Sequence, residues 1–363
     1  MTSQANPRLA RLRARMADTG TDLVLLGASS HLRWLTGLDP HGDERPVLLA
    51  VTADHAGLLI PGLNADDARR GTDLAMYTYA DDEGPDAELR RLLADCDALR
   101  PELSVAIDET IRADHALLAL DALQSPRRRF TGDTVGALRA VKEPAEIAAL
   151  KACSQLNDRA LLAGLEALKP GVRERDVRQA IIEAHQAGGA VPAFCIVAFG
   201  PNTALPHHHT SDAELQDDMP VLIDTGCVLD GYLSDITRCK WIGDTPDPDY
   251  LTITSVLEQA NAAAQAAART GVTAASVDLA ARDVVEAAGY GPRFLHRTGH
   301  GVGIDVHEPP YVTRTSPTVL ESGHVFSIEP GIYLEGRFGV RLENVVVLKD
   351  SGAEPLSDLP LVI

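Results

Sequence analysis

With 363 residues, the chain is longer than one ordinary core organises and readily accommodates two domains. Its 45% hydrophobic and 23% charged residues fit a soluble globular protein, while 4% aromatics furnish neither a base-stacking surface nor a membrane belt. A formal net charge of −19 repels phosphate and argues against a nucleic-acid partner.

In chain order, residues 1–20 are polar and Arg-rich with spaced leucines, which predicts a surface helix and lacks the apolar stretch of a signal peptide. No later run is long and apolar enough for a bilayer, so no membrane partner is expected. Short apolar runs at 22–26, 46–52, 56–60 and 75–79 predict strands, the second and third forming a hairpin across 53–55. Segments 86–96 and 113–124 predict helices. Together these make a mixed α/β domain ending near the basic stretch 127–133, with the boundary placed between 132 and 133.

The remainder opens on Lys142-Glu143-Pro144-Ala145-Glu146, where proline suits a first helical turn, and predicts a long helix over 145–168. Lys169-Pro170-Gly171 stops it, and a second helix follows over 176–187. Gly171, Val172 and Val177 recur as Gly271, Val272 and Val277. Each set follows an Ala-rich helix and precedes another helix, then hairpin-like strands at 221–241 and 325–348. That repeated order predicts two similar halves facing each other across a cleft. Five widely spaced cysteines with no CxxC pair argue against a disulfide framework and for a reducing cytoplasm.

The strands carry the chemistry. Asp224 and Asp235 lie in apolar, β-branched surroundings, where a lone carboxylate is costly to bury. Asp230-Gly231 between them is a strong two-residue hairpin signal. With that turn, Leu229 faces Tyr232, Asp224 faces Thr237, and Asp235 is diagonal to Asp224 on one face. Glu329 and Glu343 repeat the arrangement in the second hairpin region, and His300 sits in the Gly-rich segment Gly299-His300-Gly301. Any one of these residues alone reads as a turn cap or an ion-pair partner, but five together read as a metal centre. Carboxylates and imidazole suit manganese, cobalt or zinc. Four carboxylates balance two divalent ions, and two metals about 3.5–4 Å apart activate water and polarise a carbonyl.

At these residues the chain resembles the pita-bread metallopeptidases, in particular the Xaa-Pro peptidase branch that contains prolidase and aminopeptidase P. Residues 31–38 and Glu44-Arg45-Pro46 are similar to a creatinase-type N-terminal domain, and residues 138–147 to the entry of the catalytic domain. All five ligand motifs keep the family's residue. The resemblance implies an α/β (α+β) fold: a creatinase-like N-terminal α/β domain at 1–132, then a pita-bread catalytic domain at 133–363 with a pseudo-two-fold repeat. It implies a metallo-exopeptidase with two divalent ions, manganese first and cobalt or zinc as alternatives, acting as a cytoplasmic homodimer on an Xaa-Pro dipeptide or short peptide. By the same resemblance His207, His296 and His307 are the substrate histidines, which bind substrate or stabilise and protonate the tetrahedral intermediate. Arg341 is the arginine beside the last ligand, read as substrate-binding and as an ion-pair partner. Glu329 is both ligand and proton shuttle to the proline nitrogen.

A dipeptidase must also read a carboxylate just beyond proline, for which an arginine fork is the natural clamp. Arg45 is the candidate, set against a plain salt bridge to Asp43 or Glu44. The compact N-terminal domain favours prolidase over aminopeptidase P. Methionine aminopeptidase shares the ligand pattern but leaves the N-terminal domain and Leu205-Pro206-His207 unexplained. A creatinase or a non-catalytic pita-bread binding protein would have lost ligands.

Overall fold

The computed structural model describes residues 6–363. They fall into two units, the first ending at Arg139 and the second running from Ala140 to Ile363.

In the first unit, α1 (Pro7–Thr19) starts where Asn6 accepts hydrogen bonds from the backbone N–H of Arg8 and Leu9, and stops at left-handed Gly20. Then come β1 (Leu23–Leu26), α2 (Ser30–Thr36), β2 (Leu48–Val51), β3 (Ala56–Pro61), α3 (Gly62–Gly71), β4 (Ala75–Tyr79), α4 (Asp86–Asp95), β5 (Ser104–Ile107), α5 (Ala113–Asp121) and β6 (Arg127–Phe130). The six strands form one mixed sheet in the order β4-β3-β2-β1-β5-β6. Its central strands β1 and β2 are buried along their whole length, which explains their unbroken apolar runs. The β2–β3 hairpin pairs Val51 with Ala56, as its sequence suggests. Leu89, Leu92 and Leu93 of α4 form an apolar stripe packed into the core of this unit. Residues 127–130, in the stretch where the domain is expected to end, supply β6, parallel to β5 at the sheet edge. Three consecutive arginines on that edge discourage further strand pairing. The units divide beyond the expected 132/133 position, within the short helix α6 (Val135–Ala140).

The second unit begins with α7 (Pro144–Glu166), whose first turn is closed by the Glu146 carboxylate accepting from the Glu143 N–H at 2.9 Å. It continues with α8 (Glu174–Ala187), β7 (Val191–Phe199), β8 (Met219–Leu229), β9 (Tyr232–Leu233) and β10 (Ile236–Ile242). The second half follows with α9 (Pro248–Ala267), α10 (Ala274–Ala287), β11 (Gly299–Gly301), β12 (Glu308–Val312), β13 (Val325–Ile328), β14 (Gly331–Leu334), β15 (Phe338–Arg341), β16 (Asn344–Lys349) and β17 (Gly352–Pro355). Two sheets carry the halves, β10-β8-β7 with β9 on β8, and β12-β11-β13-β16-β17.

The repeat is visible bond by bond. Gly171 and Gly271 both take positive φ, and their N–H groups donate to Leu215 and Leu320, which return hydrogen bonds to Val172 and Val272. Buried Asn157 on α7 donates to the Thr225 carbonyl, and buried Asn261 on α9 donates to the carbonyls of Ile328 and Leu342. Each asparagine thus ties a helix of its half to backbone beside an acidic residue.

Candidate metal centre

Asp230 and Gly231 have φ of 50° and 84°, the left-handed pair that closes a tight hairpin. The register follows: Leu229 pairs with Tyr232 and Asp224 with Thr237. Asp235 occupies the gap between β9 and β10, near enough to Asp224 for the two charges to interact. In the second half, Ile328 pairs with Asn344 and Gly331 with Arg341, so Glu329 and Glu343 lie opposite each other between these pairs. The Glu343 N–H donates to the Thr237 carbonyl at 3.2 Å, joining the two hairpins at the acidic cluster.

His300 enters from β11. Its Nδ1 lies 3.2 Å from the Gly301 carbonyl, and its Nε2 faces the cluster. Nε2 is 3.2 Å from Glu329 Oε1 and 3.7 Å from Asp235 Oδ2. Ligand atoms of Asp235, His300 and Glu343 all lie within 4.8 Å of one another. Ser327 Oγ receives the His300 N–H and donates to Glu329 Oε1. Asp224 Oδ1 and Glu343 Oε1 are buried oxygens with no hydrogen-bond partner among the described residues. Two orphaned acceptors in a cluster of buried carboxylates and one imidazole are the donor set of a cation site, and hard oxygen and nitrogen atoms fit divalent metals.

The electrostatics say the same. Burial, then mutual repulsion, pushes the Asp235 and Glu343 carboxyls well above the usual range. Burial also raises Asp224, partly offset by Arg341. At Glu329 burial again raises, but the His300 hydrogen bond and the nearby positive charges prevail and hold it at about 2. A bound divalent cation would reverse this local logic and ionise the whole set.

The predicted histidines gather around the same cluster. His296 donates from Nδ1 to the Arg297 carbonyl, so its Nε2 accepts from Tyr333 Oη at 2.9 Å. The His307 ring meets the His300 ring edge-on at 4.2 Å. Burial lowers His296 and brings His307 down to about 4. His207 lies exposed just after Pro206, whose carbonyl accepts from Arg341 at 3.4 Å. His208 Nε2 lies 2.8 Å from the buried Glu174 carboxylate, a structural contact. Arg341 is almost wholly buried, donating to Asp224 Oδ2 at 2.6 Å, Thr237 Oγ1 at 3.1 Å and Tyr333 Oη at 2.8 Å. Its fork is therefore turned to Asp224, as the ion-pair reading expects.

Arg45, in the first unit, makes the salt bridges set against the clamp, to Asp43 and Glu44. Its Nε and Nη2 donate to the two oxygens of Asp81 at 2.9 Å, and its Nη1 donates to Glu44 at 2.8 Å. A guanidinium closed on its own chain offers no free edge to a substrate carboxylate. The His31, Asp108 and Glu109 group is likewise satisfied: Asp108 accepts from Ser29 and Thr110, Glu109 from Thr131, and His31 from Arg139. Sequence reasoning passed over Thr237, Ser327 and Tyr333. Thr237 alone had a signal, since the hairpin register already set it opposite Asp224.

Fold and site together are those of a metal-dependent hydrolase with a duplicated catalytic half. Residues 148–350 match the model of metallopeptidase family M24, and residues 8–131 that of the creatinase/prolidase N-terminal domain. The chain is 38% identical over 360 residues to "Probable dipeptidase PepE" of Mycobacterium tuberculosis, covering 97% of this chain and 94% of that protein. It is 30% identical to the Xaa-Pro dipeptidase of Pyrococcus furiosus, covering 96% and 97%. The solved dipeptidase PepE of Mycobacterium ulcerans superposes with a TM-score of 0.92 at 36% identity, over 98% of this chain and 96% of that one. The chain belongs to metallopeptidase family M24, with a creatinase/prolidase N-terminal domain ahead of its catalytic part.

Proposed function

We propose that this chain is an Xaa-Pro dipeptidase whose two divalent metals are held by Asp224, Asp235, His300, Glu329 and Glu343. The observation that carries the reading is the pair of buried, unpartnered oxygens, Asp224 Oδ1 and Glu343 Oε1, in the acidic cluster that His300 Nε2 faces. The Xaa-Pro dipeptidases among its relatives, matched along almost their whole length, supply the substrate class. Aminopeptidase P action on longer peptides is the weaker alternative. When bound, the metals supply an activated water and polarise the scissile carbonyl.

The protein's residues do the rest. Proline nitrogen lacks a hydrogen, so it leaves only if a proton is delivered to it. Glu329 stands where it can take a proton from the attacking water and pass it on. Ser327 and His300 fix its Oε1, leaving Oε2 for that transfer. Arg341 holds Asp224 in place and, through Tyr333, orients His296. His296 and His307, kept neutral by burial, suit hydrogen bonding to the developing oxyanion, and His207 approaches from its loop. Manganese is the expected metal, with cobalt or zinc as alternatives, in a cytoplasmic homodimer.

The test is metal analysis together with Ala-Pro and Ala-Pro-Gly hydrolysis, before and after chelation and on refilling with manganese, cobalt or zinc. Two metals per chain and chelator-sensitive cleavage of the dipeptide are expected. Activity that survives complete metal removal would refute the mechanism, and faster cleavage of the tripeptide would refute the dipeptidase assignment.

A further inference from the structure

A dipeptidase needs a cation where its substrate ends, and four carboxylates at the metal centre make that need acute. Arg341 is committed to Asp224, and Arg282 is held by Asp278 through Nε and Nη2, at 2.9 and 3.0 Å, with its Nη atoms also donating to the Phe294 and His296 carbonyls. Arg297 differs. It is half-buried, has no carboxylate partner among the described residues, and lies over the Tyr311 ring with its guanidinium carbon 4.9 Å from the centroid. Stacking on a ring face leaves the N–H edges of a guanidinium available and fixes its orientation in advance.

Its place in the chain is as telling. Arg297 directly follows His296, and its own carbonyl takes the His296 Nδ1 proton at 2.8 Å. Tyr311 lies on β12, four residues beyond His307. The stacked pair therefore bridges the two segments that carry the site histidines. The Arg297 charge reaches His307, adding to the stronger effects of burial and His300.

We propose that Arg297, held on Tyr311, binds the C-terminal carboxylate of the Xaa-Pro substrate and so sets the preference for dipeptides over longer peptides. The inference rests on the dipeptidase reading. A longer peptide places a neutral amide where the dipeptide carries its charge, so it gains nothing from the guanidinium.

The experiment compares Ala-Pro with Ala-Pro-amide in the metal-loaded wild type, Arg297→Gln and Arg297→Lys. In Arg297→Gln the preference for the acid over the amide should fall roughly 10- to 100-fold, mainly through KM, at unchanged metal content. Arg297→Lys, which keeps charge but loses the planar fork, should fall in between. Calorimetry with L-proline and L-prolinamide makes the same comparison without turnover, and the variant should lose its preference for proline. An unchanged acid-to-amide ratio in Arg297→Gln, or an equal loss on both substrates, overturns the proposal while leaving the dipeptidase reading intact. A wild type that cleaves the amide as well as the acid overturns the dipeptidase reading first, and this inference with it.

Discussion

His185 on α8 is 0% exposed, with Nε2 2.8 Å from Asn157 Oδ1 and Nδ1 without a hydrogen-bond partner among the described residues. Nε2 therefore donates, and a second proton on Nδ1 would create a buried cation with nothing opposite it. Burial accordingly lowers its pKa from 6.5 to about 4. Between those values the unfolded chain is protonated and the folded chain is not, so unfolding takes up a proton. This group's contribution is complete above pH 6.5, shrinks as the pH falls toward about 4, and then levels off. The gap between the two pKa values corresponds to about 3 kcal/mol. His185→Gln keeps a donor for Asn157 but cannot titrate. At pH 7 it should cost about 1 kcal/mol for the imperfect replacement. By pH 4.5 it should have gained about 2–3 kcal/mol relative to the wild type. Urea unfolding of both proteins, metal-free so that ligand protonation is common to them, measures the difference at each pH. A wild-type-to-variant difference that stays constant between pH 6.5 and 4.5 refutes the reasoning.

Thr237 donates to Glu343 Oε2 at 2.6 Å and accepts from Arg341 Nε, so Thr237→Val should weaken metal binding about 10- to 100-fold while leaving the fold intact; titration calorimetry decides. Arg45→Ala should leave the choice between Ala-Pro and Ala-Pro-Gly unchanged, because Asp81 already fills its fork; a shift in that ratio would restore Arg45 as the carboxylate reader. A Cβ added at Gly299 would land on the Ser327 carbonyl oxygen, where neither backbone can yield. Gly299→Ala should therefore cost more than about 4 kcal/mol and abolish metal retention, and a soluble variant with normal metal content would contradict this.

The hairpin around Asp230-Gly231 was legible because two residues needing positive φ fix a register, and register fixes which side chains share a face. The repeat was legible from Gly171 and Gly271 for a similar reason, as both take positive φ in the turn that joins two helices. The Glu44 partner of Arg45 was legible but Asp81 was not, because sequence shows that a cation is present without showing which distant anion will reach it. The strand at Arg127–Phe130 was not legible because three arginines suit an exposed loop as well as an edge strand. Tyr333 and Arg297 gave no signal at all. Their parts depend on a hydroxyl meeting His296 and a ring lying under a guanidinium, contacts between residues well apart in sequence.

The acidic cluster is best understood through the free energy it costs the empty protein. Three of its four carboxyls are pushed upward by burial, so folding without metal must either protonate them or bury their charges. The two halves bear that cost with rigid backbone: Asn157 and Asn261 pin the carbonyls beside Asp224 and Glu329, and the Glu343–Thr237 bond ties the hairpins together. A scaffold that holds carboxylates close without letting them separate keeps the unfavourable energy in place until a cation removes it. Because raised carboxyls must lose protons before they can serve as ligands, metal affinity should rise with pH across the acidic and neutral range. Because the cation binds the folded chain and not the unfolded one, its stabilising effect should rise in parallel. The rigidity that makes the empty site costly is what prepares it for two metals.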